Sequence, residues 1–271
     1  MVKDDIRDIQ IYYENSVESE DSRLERHRLE RDITWLYFEK YLPKSGHVLE
    51  IGAATGVHTL WMAQRGYQIT AIDLSQKELE FNRNRLVEHD LHHQIETRAG
   101  DARDLGDLPE NGFDAVLLMG PLYHLVQELD RELALDQAVR RLKPGGIFFS
   151  SHISRFGILG DLLKNVTGWI EETDEVRSII QLGRDPVDYH QGVFRGYFST
   201  VEEIAPLHEQ AGLETIVIAG VEPAISADDQ SYNILEGQQR QLWLDLLYSI
   251  SRVPSMVASS RHILYIGRKP G

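Results

Sequence analysis

A nine-residue stretch, Val48-Leu49-Glu50-Ile51-Gly52-Ala53-Ala54-Thr55-Gly56, decides the fold of this chain. Its apolar first half predicts a short buried strand. Its second half predicts a tight turn, because glycine adopts positive φ and small residues let the backbone approach a ligand closely. A helical pattern then begins at Val57 and ends before Gly66. This order is typical of the first unit of a parallel sheet that binds a ligand at the carboxyl ends of its strands.

The alternation of strand and helix patterns continues along the chain. Near-continuous apolar runs indicate strands whose two faces are both covered by helices. We therefore predict an α/β fold, a doubly wound, mostly parallel seven-stranded Rossmann-like sheet with helices on both faces. The further predicted strands are residues 68–73, 94–98, 113–119, 147–151, 214–219 and 262–266.

A single domain of 271 residues accounts for the whole pattern. Residues 1–45 form an N-terminal helical segment, and residues 46–151 form the ligand-binding core. The rhythm breaks at residues 152–198, which we interpret as a helical insertion that caps the active site. Residues 199–271 complete the sheet.

The charge balance disfavours nucleic acid as a partner, because 43 acidic residues against 28 basic ones give a net charge of −15. The basic cluster Arg23, Arg26, Arg28 and Arg31 is interleaved with acidic residues, a pattern typical of a solvated helix face. No stretch has the apolar length of a membrane helix. Cysteine is absent, which is consistent with a reducing cytoplasm. The histidines, including His92 and His93, form no ligand pattern, and we predict no metal.

Asp73 ends the second predicted strand, next to the glycine turn. A carboxylate there can accept hydrogen bonds from both hydroxyls of a ribose. Its alternative role is to cap the following helix, but Ser75 is well placed for that. A dinucleotide site would need the pattern Gly-x-Gly-x-x-Gly, and Ala54 and Val57 occupy its second and third glycine positions. A nucleoside ligand without phosphates fits better.

At these residues the sequence resembles the class I S-adenosylmethionine-dependent methyltransferases. The resemblance covers roughly residues 20–151 and 199–268. Ala54 departs from the family's pattern, which often has glycine there. The matching segments occur in the family's order: Val48–Gly56, Ile72–Ser75, Gly100–Ala102 and Leu142–Gly146.

The resemblance implies a role for each matching residue toward S-adenosylmethionine. Glu50 would brace the turn, and Asp73 would hold the ribose. Leu74 would contact the adenine, Asp101 would accept from its amino group, and Ala102 would offer its backbone amide. The residues implied to line the rest of the cofactor site are Gly52, Ala53, Thr55, Gly56 and Met119.

Three residues are candidates for the acceptor side. His124 follows the fourth strand and has a reference pKa suited to proton removal, so we take it as the candidate catalytic base. His152, just past the fifth strand, and Tyr13 are candidate substrate residues. Aromatic side chains that would cover the sulfonium or line this pocket are Tyr12, Tyr13, Tyr189, Phe194, Tyr197 and Phe198.

The predicted function is methyl transfer from S-adenosylmethionine to O, N or C of a small metabolite, with S-adenosylhomocysteine as the product. Two alternatives remain open at this point: a nicotinamide-dependent oxidoreductase and a non-catalytic S-adenosylmethionine sensor. The acceptor does not follow from the fold or from the cofactor site.

Overall fold

The strands of the sheet lie close to their predicted positions. A computed structural model of the chain describes residues 4–185, 195–225 and 228–271. The first five strands are β1 His47–Ile51, β2 Gln68–Asp73, β3 Ile95–Ala99, β4 Phe113–Leu118 and β5 Leu142–Ser154. The remaining three are β6 Phe198–Ser199, β7 Glu214–Gly220 and β8 His262–Arg268.

The strand order of the sheet is β3-β2-β1-β4-β5-β8-β7, with the short β6 paired to β5. Strands β1 to β5 run parallel to one another, whereas β8 is antiparallel to both β5 and β7. The predicted doubly wound, mostly parallel sheet is confirmed, with β6 as an additional strand. The order reverses between β1 and β4, and ligands of such sheets bind at the carboxyl ends beside this switch point.

Helices precede, connect and follow the strands. The N-terminal segment forms α1 Arg7–Asp21, α2 Arg23–Arg26 and α3 Arg28–Tyr41. The core contains α4 Val57–Ala63, α5 Gln76–Glu88, α6 Pro121–His124 and α7 Glu128–Arg141. The later helices are α8 Leu159–Asn165, α9 Thr173–Leu182, α10 Val201–Gln210, α11 Asp229–Asn233, α12 Gly237–Ile250 and α13 Pro254–Ser259.

Two apolar layers enclose the sheet, because neighbouring side chains of a strand point to opposite faces. Phe149 of β5 packs in one layer with Phe38 of α3 and Met62 of α4. Phe148, the preceding residue, packs in the other layer with Leu135 of α7. Because helices cover both faces of the sheet, a ligand can bind only at the ends of its strands.

The Lys143–Gly146 segment, which precedes the predicted fifth strand, is part of β5. Phe113 pairs with Leu142, but Ala115 pairs with Ile147, so the segment bulges out opposite a single β4 residue. Gly145 allows this because its φ is +77°.

The N-terminal helices pack across the edge of the core. The sequence predicts one helix over residues 22–42, but His27 has non-helical backbone angles and separates α2 from α3. Helix α1 is attached to α5, where the Lys77 ammonium donates to the Glu14 carbonyl at 3.1 Å and Arg85 pairs with Asp21. No helix in the described ranges has the length and apolar character of a membrane span.

Candidate active site

A cavity opens at the carboxyl ends of β1, β2 and β4, between the sheet and the N-terminal helices. It contains about 1140 Å³ of space, its mouth included. Glu50 is absent from its described lining and lies beneath the turn. The predicted cofactor residues that line the cavity are Gly52, Ala53, Thr55, Gly56, Asp73, Leu74, Asp101, Ala102 and Met119.

The glycine turn has the backbone conformation that its sequence predicts. Gly52 has a φ of +81°, and a Cβ on it would lie 2.4 Å from the carbonyl oxygen of Met119. Gly56 has a φ of +87° and is equally crowded by the Asn82 side chain. Ala54 also lies in the left-handed region, with a φ of +47°. Such a conformation costs a non-glycine residue on the order of 1 kcal/mol. The turn therefore depends on contacts from its neighbours.

A buried polar chain supports the turn from below. The Thr59 hydroxyl donates to Glu50 Oε2 at 2.6 Å, and the Asn82 amide donates to Thr59 Oγ1 at 3.0 Å. Burial raises the pKa of Glu50 to about 8. The sequence analysis did not identify Asn82 as a residue that supports the turn. Its signal was a polar residue on the inner face of α5, where Leu79 and Leu86 are apolar.

Asp73 connects the turn to the next helix. Its Oδ2 accepts from the Ala54 amide at 2.9 Å, and its Oδ1 accepts from the Ser75 amide at 2.8 Å. The predicted N-cap is confirmed, since Ser75 Oγ accepts from the Glu78 amide at 3.3 Å. Burial raises the pKa of Asp73 to about 6. Each carboxylate oxygen has further acceptor capacity toward the cavity.

Asp101, the residue predicted to contact the adenine, lines the cavity. Its carboxylate accepts from the Arg103 guanidinium at 2.8 Å and from the Arg103 amide at 2.9 Å. Arg103 also pairs with Asp130 at 3.0 Å and donates to the carbonyl of Asp4 at 2.9 Å. This wall of the cavity is therefore attached to the start of the chain.

Tyr13 and His124 meet across the cavity. The Tyr13 hydroxyl and His124 Nε2 are 2.6 Å apart, and His124 Nδ1 is 3.2 Å from the Arg195 carbonyl. A carbonyl only accepts, so Nδ1 carries the hydrogen in the neutral ring and Tyr13 donates to Nε2. Burial lowers the pKa of His124 to about 4 and raises the pKa of Tyr13 well above its usual value. His124 is therefore unprotonated near neutral pH, with Tyr13 on its basic nitrogen.

Arg23 corrects the expectation of a solvated basic face. It lines the cavity, with its guanidinium 2.9 Å from Glu20 on one side and 2.9 Å from Glu30 on the other. His262 Nδ1 is 3.5 Å from the same Glu30 carboxylate. Alternating charges on a helix indicate exposure only when nothing packs against them, and here α2 forms part of the cavity wall.

His152, a candidate substrate residue, is not brought to the cavity. Ser151 lines the cavity, whereas the next side chain of the strand points to the opposite face. There the His152 ring is 5.3 Å from that of His208 and 3.2 Å from the Ser150 hydroxyl. Burial lowers the pKa of both histidines.

Of the six predicted aromatic residues, Tyr13 lines the cavity. Tyr12, Tyr197 and Phe198 are not among its described lining residues. The Tyr197 ring lies under the Arg131 guanidinium at 3.5 Å, and its hydroxyl donates to Glu203 at 3.0 Å. Tyr189 and Phe194 lie outside the described residues.

Among the residues that the structure describes, two groups of acidic and histidine side chains are close enough to share a metal ion, and both include Glu222. Arg261 already supplies positive charge there, because its guanidinium contacts both Glu222 and Asp229. We therefore assign no metal to them. The first group is His27, Glu222 and Asp229, and the second is Glu30, Glu222 and His262.

Comparison with known proteins agrees with this geometry. Residues 49–150 match the methyltransferase domain family. The cypemycin N-terminal methyltransferase of a Streptomyces species is 31% identical over 119 residues, covering 43% of this chain and 45% of the relative. The ubiquinone biosynthesis O-methyltransferase of Idiomarina loihiensis is 28% identical over 174 residues, 64% of either chain. The chain thus spans less than two thirds of the length of these relatives.

A solved structure is similar over nearly the whole chain. It is an S-adenosylmethionine-dependent methyltransferase from Thermotoga maritima, described as a possible histamine N-methyltransferase. The TM-score is 0.60 at 19% identity, and the match covers 95% of this chain and 98% of that one. The fold is that of the class I methyltransferases. Residues 49–150 thus contain a methyltransferase domain, and the chain as a whole is similar in fold to S-adenosylmethionine-dependent methyltransferases.

The cavity fits the cofactor of this family. Gly52 lines the cavity with bare backbone, and Asp73 offers acceptor positions to a diol. The described lining contains one arginine or lysine, Arg23, which already contacts two carboxylates, so the cavity suits a ligand with a positive charge and no phosphates. A nicotinamide dinucleotide does not meet these conditions, and the matches are methyltransferases.

Proposed function

We infer that this protein transfers a methyl group from S-adenosylmethionine to a small molecule, and that Tyr13 and His124 take up the proton that the acceptor loses. The observation that carries this proposal is the 2.6 Å contact between the Tyr13 hydroxyl and His124 Nε2 in the wall of the glycine-turn cavity. The predicted roles of the cofactor residues are part of the same proposal.

The donor side of the cavity is supported by hydrogen bonds within the protein. When bound, S-adenosylmethionine supplies an electrophilic methyl group on a positively charged sulfur. The Gly52–Gly56 turn positions the methionine part, and Asp73 holds the ribose. Glu50 acts through Thr59 and Asn82, because it keeps the turn in place without reaching the cavity.

The acceptor side provides a proton path. The acceptor's proton passes to the Tyr13 oxygen as the Tyr13 hydroxyl hydrogen passes to His124 Nε2, and the Arg195 carbonyl holds the Nδ1 hydrogen throughout. The His124 side chain is buried and that of Tyr13 is partly buried, which limits the access of water to these atoms. A sensor would bind the cofactor without needing a base in this position, and the pair therefore favours an enzyme.

A small acceptor follows from the shape and charge of the cavity. Helices α1 to α3 close the cavity on one side. The Arg23 guanidinium in its wall already forms ion pairs with Glu20 and Glu30. We therefore propose a metabolite as the acceptor and exclude nucleic acid. One matched relative is named an N-terminal methyltransferase and another an O-methyltransferase, so we take both an amine nitrogen and an oxygen as candidate acceptor atoms. A cytoplasmic location and a capping role of residues 152–198 remain predictions.

Labelled S-adenosylmethionine tests the proposal directly. The purified protein is incubated with the methyl-labelled cofactor and a low-molecular-weight cell extract, and labelled products are identified by mass spectrometry. We expect a labelled small molecule that requires the protein, together with micromolar binding of S-adenosylhomocysteine in calorimetry. Absence of S-adenosylhomocysteine binding would refute the proposal. Binding without any labelled product would support a sensor instead.

A further inference from the structure

Glu78 is a buried carboxyl group that faces the cavity without a role in the scheme above. It lies in the first turn of α5, with 1% of its surface exposed, and it lines the cavity near Asp73. Its Oε1 has no hydrogen-bond partner among the residues that the structure describes. A buried polar atom without a partner is costly, which suggests that a ligand satisfies it.

Helix capping does not explain this side chain. A glutamate three residues after a serine N-cap commonly accepts from the serine amide. Here the Ser75 amide donates to Asp73 instead, at 2.8 Å. The Glu78 backbone takes part in the cap, since its amide donates to Ser75 Oγ, but its carboxyl group does not.

The charges around Glu78 define what it offers to a ligand. Burial, with Asp73 and Glu20 nearby, raises the pKa of Glu78 to about 9. The side chain is therefore a neutral acid near pH 7 and both donates and accepts one hydrogen bond. Asp73, with a pKa of about 6, is mostly a carboxylate at that pH. Together the two groups match a vicinal diol, whose hydroxyls each donate and accept.

We propose that Glu78 binds one ribose hydroxyl of S-adenosylmethionine while Asp73 binds the other. This assignment rests on the proposed function, since it takes S-adenosylmethionine to be the ligand. It makes Glu78 a second specificity residue for the ribose, contributed by α5 and not by the end of β2. The unpartnered Oε1 and the spare acceptor positions of Asp73 are then used by the same ligand.

Deoxy analogues of the product test whether Glu78 and Asp73 each bind one ribose hydroxyl. Calorimetry compares S-adenosylhomocysteine with its 2′-deoxy and 3′-deoxy analogues, on wild type and on Glu78→Ala. On wild type, each missing hydroxyl is expected to weaken binding roughly tenfold. On Glu78→Ala, one analogue should bind as well as the parent, within about twofold, while the other still loses about tenfold.

Two further variants protect the test against misfolding. Glu78→Gln keeps the size and both hydrogen-bonding functions and should bind the parent within about threefold of wild type. Glu80→Ala, on the exposed face of the same helix, should behave as wild type. If both analogues lose the same factor on Glu78→Ala as on wild type, the assignment is wrong although the proposed function survives. If wild type does not bind S-adenosylhomocysteine, both are wrong.

Discussion

Removal of one hydroxyl group, in Tyr13→Phe, tests the proton path. The phenyl ring keeps its place on α1 and the edge-to-face contact with the His124 ring, whose centroid is 5.2 Å away. What is lost is the 2.6 Å hydrogen bond to Nε2 and the oxygen that would receive the acceptor's proton. The change therefore separates chemistry from packing.

The expected magnitudes differ for folding and for catalysis. One neutral hydrogen bond contributes about 1 kcal/mol to stability, so Tm should fall by about 2–4 °C for a domain of this size. A positioned general base contributes 10²–10⁴-fold, so kcat should fall by at least about 100-fold, or ~2.7 kcal/mol. Binding of S-adenosylhomocysteine should stay within about twofold, because Tyr13 holds no part of the donor in this scheme.

Single-turnover kinetics with the acceptor found by labelling measures the chemical step. Tyr12→Phe is the matched control, since this half-buried neighbour is not among the described cavity residues. Because burial lowers the pKa of His124 to about 4, wild-type activity should be lost to protonation of this base only at acid pH. Turnover of Tyr13→Phe within about threefold of wild type would refute the proton path.

Three other substitutions examine the turn, a buried acid and the displaced histidine. Gly56→Ala places a Cβ 2.3 Å from a side-chain amide of α5 and should abolish cofactor binding in calorimetry. Gly212→Ala, at a similar φ but in open space, should still bind the cofactor. Equal binding by the two variants would contradict the role of the Gly56 contact. Glu50 has a folded pKa of about 8, raised from 4.5, so its stabilising contribution is present below pH 4.5 and is lost as pH rises through 8. Glu50→Gln should therefore gain stability relative to wild type between pH 5 and 8, by on the order of several kcal/mol in urea unfolding, and a constant difference would be inconsistent with the raised pKa. His152→Asn should lower Tm but leave KM and kcat within about twofold of wild type. A large rise in KM would indicate that His152 contacts the substrate after all.

The donor half of the site was predictable because its signals are local. Gly52, Gly56 and Asp73 follow directly from strand ends, and parallel strands that neighbour the switch point bring their carboxyl ends together. Ser75 was recognisable as a cap from its position alone. These residues need only their own strand, turn and helix to reach the cavity.

The acceptor half was harder to predict from the sequence, because it depends on packing between distant segments. Tyr13 and His124 were both candidates, but they are 111 residues apart, and no pattern states that α1 crosses the cavity. Arg23 resembled a solvated residue because charge alternation does not reveal what packs on a helix. Glu78 has the sequence position of an ordinary helix-capping residue. Only the folded chain shows that the Ser75 amide donates to Asp73 and not to Glu78.

By itself the sequence determined the α/β class, the positions of the strands and the turn that marks the cofactor site, since apolar periodicity and backbone preferences act over a few residues. The tertiary structure alone decided that Tyr13 donates to His124, that His152 faces away from the cavity and that Arg23 lies between two carboxylates. These contacts depend on strand pairing and helix packing, which join residues far apart in the chain. For that reason the residues of the glycine turn and Asp73 were predictable from the sequence, and the contact between Tyr13 and His124 was visible only in the folded chain.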